Sequence, residues 1–177
     1  MVSDEALMLD FQGGSHEAFE QLFERYREPL FGFFRRRLEN SARAEDLAQE
    51  TFLAVVQATS RYEPRARVRT YLYGIALNLV AAERRKRAKD DLGSEPSRER
   101  GTAASPDANI WVREALERLT PVEREILMLR EYEQLSYSEI ADVLRIPMNT
   151  VRSRLFRSRM SIREYLEPAT ETNNAQK

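Results

Sequence analysis

Apolar residues recur at helical spacing in two stretches of this chain, and between residues 90 and 108 the recurrence stops. In the first stretch, Ala18, Phe19, Leu22, Phe23 and Tyr26 begin one stripe, and Leu30, Phe33, Phe34 and Leu38 continue it past Pro29, which is expected to kink or interrupt the helix. Ala44, Leu47, Ala48, Thr51, Phe52, Val55, Val56 and Thr59 form a second stripe, with Ser41 as its expected cap. Val68, Tyr71, Leu72, Ile75, Ala76, Leu79 and Val80 form a third. Three such stripes can bury one another, so residues 1–89 are expected to make a small helical domain.

Residues 90–109 hold Asp90, Asp91, Gly93, Ser94, Pro96, Gly101, Ser105 and Pro106. That composition predicts a flexible acidic linker, either a plain tether or a segment that also occupies a basic channel on a partner. A second domain is expected over residues 110–170. Trp111, Ala115, Leu116 and Leu119 lead in. Thr120, Pro121 and Glu123 then read as N-cap, first-turn proline and capping-box acid. Ser136 and Glu139 repeat the capping pattern before Ile140, Ala141, Val143 and Leu144. Arg145, Ile146 and Pro147 break that helix, and a last one buries Val151, Leu155, Ser158 and Ile162. A short helix, a tight turn and a basic helix make a helix-turn-helix. The expected fold is all-α: two small helical domains joined by a linker, the C-terminal one a helix-turn-helix.

The formal net charge of −1 hides a strong segregation. Residues 60–89 carry nine basic and two acidic groups, and residues 145–163 carry six basic and none acidic. Such blocks supply phosphate contacts whatever the sign of the whole. There is no cysteine and one histidine, His16, which leaves no thiolate or histidine metal site. Gly13-Gly14 lacks the lysine motif of a phosphate loop. Glu24 with Glu28, and Glu123 with Glu125, read as surface acids rather than a catalytic pair. The chain is expected not to be an enzyme, to need no cofactor or metal, to insert in no membrane and to work in the cytoplasm.

Three surfaces are candidates for binding. The final helix leaves Asn149, Thr150, Arg152, Ser153, Phe156 and Arg157 off its buried stripe, near the helix start where base edges of a major groove are reached. Arg154 and Arg159 suit phosphates or helix–helix pairs; a plain helical hairpin with a solvated arginine face is the bland alternative. The block at 60–89 interleaves Arg61, Arg65, Arg67, Arg69, Arg84, Arg85, Lys86, Arg87 and Lys89 with Tyr62, Tyr71 and Tyr73. Arginines on the backbone and rings against bases suit unpaired DNA. Tyr71 also lies in the core stripe, whereas Tyr62, in a loop beside Pro64, is the freer ring. The outer face of the middle helix, Glu45, Asp46, Gln49, Glu50 and Leu53, reads on composition alone more as plain solvent face than as a partner site.

These residues carry a family likeness. Asp46-Leu47-Ala48-Gln49-Glu50-Thr51-Phe52 resembles the DLxQETF signature of extracytoplasmic-function sigma factors of the sigma-70 family. Val68 to Asn78 resembles the family's FRxWLYxIARN segment. Leu135 to Ala141, followed by Asn149 to Leu155, resembles its final domain. Val68, Tyr71, Leu77, Ala82 and Asn149 depart from the usual residues. The resemblance implies a sigma subunit that binds core RNA polymerase through its β and β′ subunits. Asp46, Gln49, Glu50 and Leu53 would dock on polymerase. Arg61, Tyr62, Arg65, Arg69, Tyr71, Tyr73, Asn78, Arg84 and Arg85 would open and read the −10 element on the non-template strand. Asn149, Thr150, Arg152, Ser153, Arg154 and Arg157 would read the duplex −35 element. An anti-sigma protein is the further partner implied. A stand-alone helix-turn-helix regulator would use residues 120–166 and leave Asp46–Phe52 and the arginine–tyrosine block idle.

Overall fold

The structure is a computed structural model and describes residues 2–64, 67–91 and 108–166. Arg65, most of the expected linker and the chain after Leu166 lie outside those residues. The described part is helical and divides into two compact units.

The first unit holds α1 (Asp4–Gln12), α2 (His16–Arg35), α3 (Ser41–Ala58), a 3-10 turn (Thr59–Arg61) and α4 (Val68–Asp91). Each of the first three helices starts on a side-chain oxygen. Ser3 accepts from Ala6 N, Ser15 from Ala18 N, and Asn40 from Arg43 N. The cap of α3 is thus Asn40 and not Ser41, because the amide oxygen reaches back to an orphan N–H from one residue earlier. Pro29 sits inside α2 without ending it. It lies on the exposed face, where water can satisfy the carbonyl that loses its partner. Leu30, Phe33 and Phe34 of α2, Leu47 of α3 and Val68, Leu72 and Val80 of α4 fill the core, all at or below 3% exposure. Burying each such side chain contributes about 1.5–3 kcal/mol.

Three expectations about this core change. Tyr73 is 2% exposed, and its ring lies 5.5 Å from Phe33. Val56 faces out at 45% exposure. The Tyr62 loop residue is 7% exposed, with its ring 5.6 Å from Tyr71. The third stripe is wider than a single helical seam because α4 is covered on several sides, by α1, α2 and α3.

The second unit holds α5 (Ala108–Glu117), α6 (Pro121–Glu131), α7 (Tyr137–Leu144) and α8 (Met148–Leu166). Both expected capping boxes form. Thr120 Oγ1 accepts from Glu123 N while the Glu123 carboxylate accepts from Thr120 N. Ser136 and Glu139 make the same exchange at 3.2 and 2.7 Å. Gln134 (φ 56°) and Arg145 (φ 54°) take left-handed conformations at the turns bounding α7. At the second turn Ile146 N donates to Ala141 O at 3.0 Å, closing α7 so that α8 starts in a new direction. Ile126, Leu129, Leu135, Ile140, Val151 and Leu155 form the core, each at or below 1% exposure, while Ile162 is half-buried. Helices α4 and α5 each extend two residues into the expected linker, to Asp91 and from Ala108.

Candidate nucleic-acid interface

The recognition-type surface begins with α8. Its buried stripe of Val151, Leu155 and Ser158 turns Asn149, Arg152, Ser153, Phe156 and Arg157 into solvent, with Thr150 half-buried. Ser153 Oγ donates to Thr150 O at 3.1 Å, so the hydroxyl offers its lone pairs outward. Phe156 is 67% exposed. Arg154 is half-buried, and both it and Arg157 feel the Glu123 carboxylate at the start of α6. The Thr120 hydroxyl first, then Arg157 and Arg154, hold that carboxyl below the ordinary glutamate range, against an opposing effect of burial. Arg159 pairs with Glu131 at 2.7 Å, tying α8 to α6.

Helix α4 places Arg84 and Arg85 in solvent at its C-terminal half, with Asn78 exposed nearly two turns earlier. Arg61 is exposed and Arg69 and Tyr71 are half-buried around its N-terminal end. Tyr62 is packed rather than free: burial foremost, with Glu5 and Tyr71 nearby, pushes its phenol up, and its hydroxyl has no hydrogen-bond partner among the described residues. Tyr73, covered by Phe33, offers no ring to a base in this conformation. The sequence hid this because an aromatic between arginines looks the same whether it points into the core or away from it.

On α3, Asp46, Gln49 and Leu53 are exposed, Leu53 by 58%. Glu50 is different. Its carboxylate accepts from Arg43 at 2.9 Å, and Arg43 also binds the buried Glu83 of α4 at 3.0 Å. Asp46 lies 3.7 Å from the same guanidinium, and Arg87 approaches Glu83 at 3.8 Å. Arg43, which the sequence did not single out, therefore couples the outer face of α3 to α4. An open groove of about 300 Å³ runs beside this face, between Phe23, Arg27 and Phe31 of α2 and Glu45, Gln49 and Phe52 of α3.

The two units correspond to two known families. Residues 22–90 match Sigma-70 region 2, and residues 109–162 match Sigma-70, region 4. The RNA polymerase sigma-H factor of Pseudomonas aeruginosa is 32% identical, covering 93% of this chain and 94% of its own. The ECF RNA polymerase sigma-E factor of Salmonella typhimurium is also 32% identical, covering 94% and 96%. Among solved structures, CnrH in complex with the cytosolic domain of CnrY superposes with a TM-score of 0.70 at 24% identity, over 94% of this chain and 99% of that one, a likeness of fold. The chain belongs to the extracytoplasmic-function group of the sigma-70 family. It is a transcription initiation subunit and not an enzyme. Among the described residues no helix is long and apolar enough to cross a membrane.

Proposed function

We propose that the three surfaces divide the work of initiation. The first domain, residues 1–89, docks on the β and β′ subunits of core polymerase through Asp46, Gln49 and Leu53. It opens and reads the −10 element through Arg61, Tyr62, Arg65, Arg69, Tyr71, Asn78, Arg84 and Arg85. Tyr73 serves as core support for Tyr71 and its neighbours, and Glu50 serves docking through its tie to Arg43. The second domain, residues 110–170, reads the −35 duplex with Asn149, Thr150, Arg152, Ser153 and Arg157, while Arg154 grips phosphate. Residues 90–109 tether the two, so that polymerase sets their spacing. The supporting observation is the pairing on one chain of an exposed recognition helix with a separate cationic helix next to an acidic docking face. An anti-sigma protein is the proposed inhibitory partner, and the cytoplasm, where polymerase and promoter meet, the proposed site of action.

The test is promoter-directed RNA synthesis by core polymerase with the full chain and with Asp46→Arg. Asp46 is exposed, so its reversal should leave the helices intact and weaken core binding. Unchanged affinity for core would remove the docking assignment. Tight binding to isolated duplex with no promoter-directed synthesis would favour a stand-alone regulator.

A further inference from the structure

Helix α1 carries no residue assigned to polymerase or DNA, yet two of its side chains reach the connection between α3 and α4. At its C-terminal end the Gln12 amide nitrogen donates to two backbone carbonyls, Thr59 O at 3.0 Å and Tyr62 O at 3.1 Å. Nearer its start, Glu5 Oε1 accepts from the N–H of Val68, the first residue of α4, at 3.3 Å. That N–H belongs to the first turn and has no partner within its own helix. Residues seven apart in an α-helix share a face and lie about 10 Å apart along the axis. Both ends of the connection are therefore held by one rigid rod.

The rod is fixed independently on its other side. Leu7 and Met8 are buried, and the Phe11 ring lies 4.7 Å from Phe19 of α2. The Asp4 carboxylate pairs with Arg25 at 2.6 Å and accepts from the Tyr26 hydroxyl. Gln12 is exposed and Glu5 half-buried, so neither fills the core. Their polar reach goes to the connection alone among the described contacts. The Tyr62 hydroxyl has no partner among the described residues and its N–H bonds only locally, to Thr59 O at 3.0 Å, so the Gln12 bond to the Tyr62 carbonyl ties this turn to α1.

We propose that Gln12 and Glu5 are positioning residues for promoter strand recognition. By fixing Thr59–Tyr62 and Val68 they set the separation and orientation of Arg61 and Tyr62 on one side of the connection and Arg69 and Tyr71 on the other. This inference rests on the assignment of that region to the −10 element. Helix α1 touches no DNA in this account; it fixes the groups that do.

The experiment uses the full chain with core polymerase, transcribing a DNA pool randomised across both promoter elements, with base preference read at each position by sequencing the products. Gln12→Ala and Gln12→Glu, the second keeping the size but losing the donor, should each weaken the preference at −10 positions by about two- to tenfold, the range of one net hydrogen bond. Preferences at −35 and affinity for core should not move. Gln12→Arg restores donors to the two carbonyls and should restore the preference. A fall in yield equal at all sequences, or Gln12→Arg as impaired as Gln12→Ala, would make Gln12 a fold staple and overturn the proposal. Arg69→Ala and Asn78→Ala run beside them. If these shift the −10 preference and the Gln12 variants do not, the positioning role alone falls. If none of the variants shifts it, the −10 assignment falls and takes the positioning role with it.

Discussion

Replacing Arg43 by methionine isolates the charged link between α3 and the buried Glu83 of α4. The guanidinium donates from Nε to Glu83 at 3.0 Å and from a terminal nitrogen to Glu50 at 2.9 Å. The Glu83 side chain is only 9% exposed, whereas Glu50 is 42% exposed. After the change Glu83 keeps Arg87, at 3.8 Å. Hydrogen bonds to charged groups are worth about 1.5–3 kcal/mol net. An exposed pair is worth about 0–1 kcal/mol, so Glu50 adds little. Breaking a fully buried pair costs about 3–5 kcal/mol, an upper limit because Arg43 itself is 29% exposed. A loss of about 2 kcal/mol is expected, which lowers the melting temperature of a unit this size by about 8–16 °C. The measurement is urea unfolding of the full chain followed by far-UV circular dichroism. Trp111, the sole tryptophan, stands in α5, so its fluorescence reports the second unit and should not shift. In a double-mutant cycle with Glu83→Gln the coupling should reach about 1–2 kcal/mol, because the amide leaves no stranded charge. The loss should also survive about 1 M salt, which screens exposed pairs but reaches buried ones poorly. Coupling below about 0.5 kcal/mol, or a loss that disappears at high salt, would refute the view that this link is a desolvated one.

Tyr62→Phe removes a buried hydroxyl that has no partner among the described residues, so unfolding stability should hold or rise by up to about 1 kcal/mol; a loss of stability in chemical denaturation would contradict the packing described. Thr120→Ala should cost the second unit about 0.5–2 kcal/mol by removing its capping box, measured by Trp111 fluorescence. Because the folded Glu123 carboxyl lies below its ordinary value near 4.5, its contribution is present above that pH and is lost as pH falls through the depressed value; Glu123→Gln should flatten this part of an acid titration of stability, and an unchanged acid limb would contradict it. Arg152→Ala should lose discrimination at one −35 position by about 1–3 kcal/mol, whereas Arg84→Ala with Arg85→Ala should weaken binding to all promoters and flatten its salt dependence; holoenzyme titrations on promoters differing by one base pair separate the two.

Much of this was legible in the sequence because it rested on short-range rules. The two capping boxes, the break at Arg145–Pro147 and the buried seam of α8 each depend on residues within four positions of one another. The three stripes of the first unit were legible for the same reason. What escaped depends on residues far apart in sequence. Arg43 meets Glu83 across 40 positions, and Gln12 meets Tyr62 across 50. No periodicity encodes such pairs. Tyr62 and Tyr73 look like open rings in the sequence because burial from a second helix leaves no mark on the local pattern. Glu50 looked like an outward charge because its spacing is that of a solvent face, and only the fold supplies the arginine beneath it.

The link through Arg43 has a consequence for how this surface can change over evolutionary time. Asn149, Arg152 and Arg157 stand free of the core, so single substitutions there can be tried one at a time without threatening the fold. Glu50 has no such liberty. Reversing its charge sets two cations together at 2.9 Å and strands a neighbour whose other acid is buried. Charge reversal at Glu50 should therefore travel with changes at Arg43 and Glu83, whereas its neutral replacement costs little. On the proposed assignment, promoter preference can drift by single changes, while this edge of the α3 face moves only in concert with the interior of the domain.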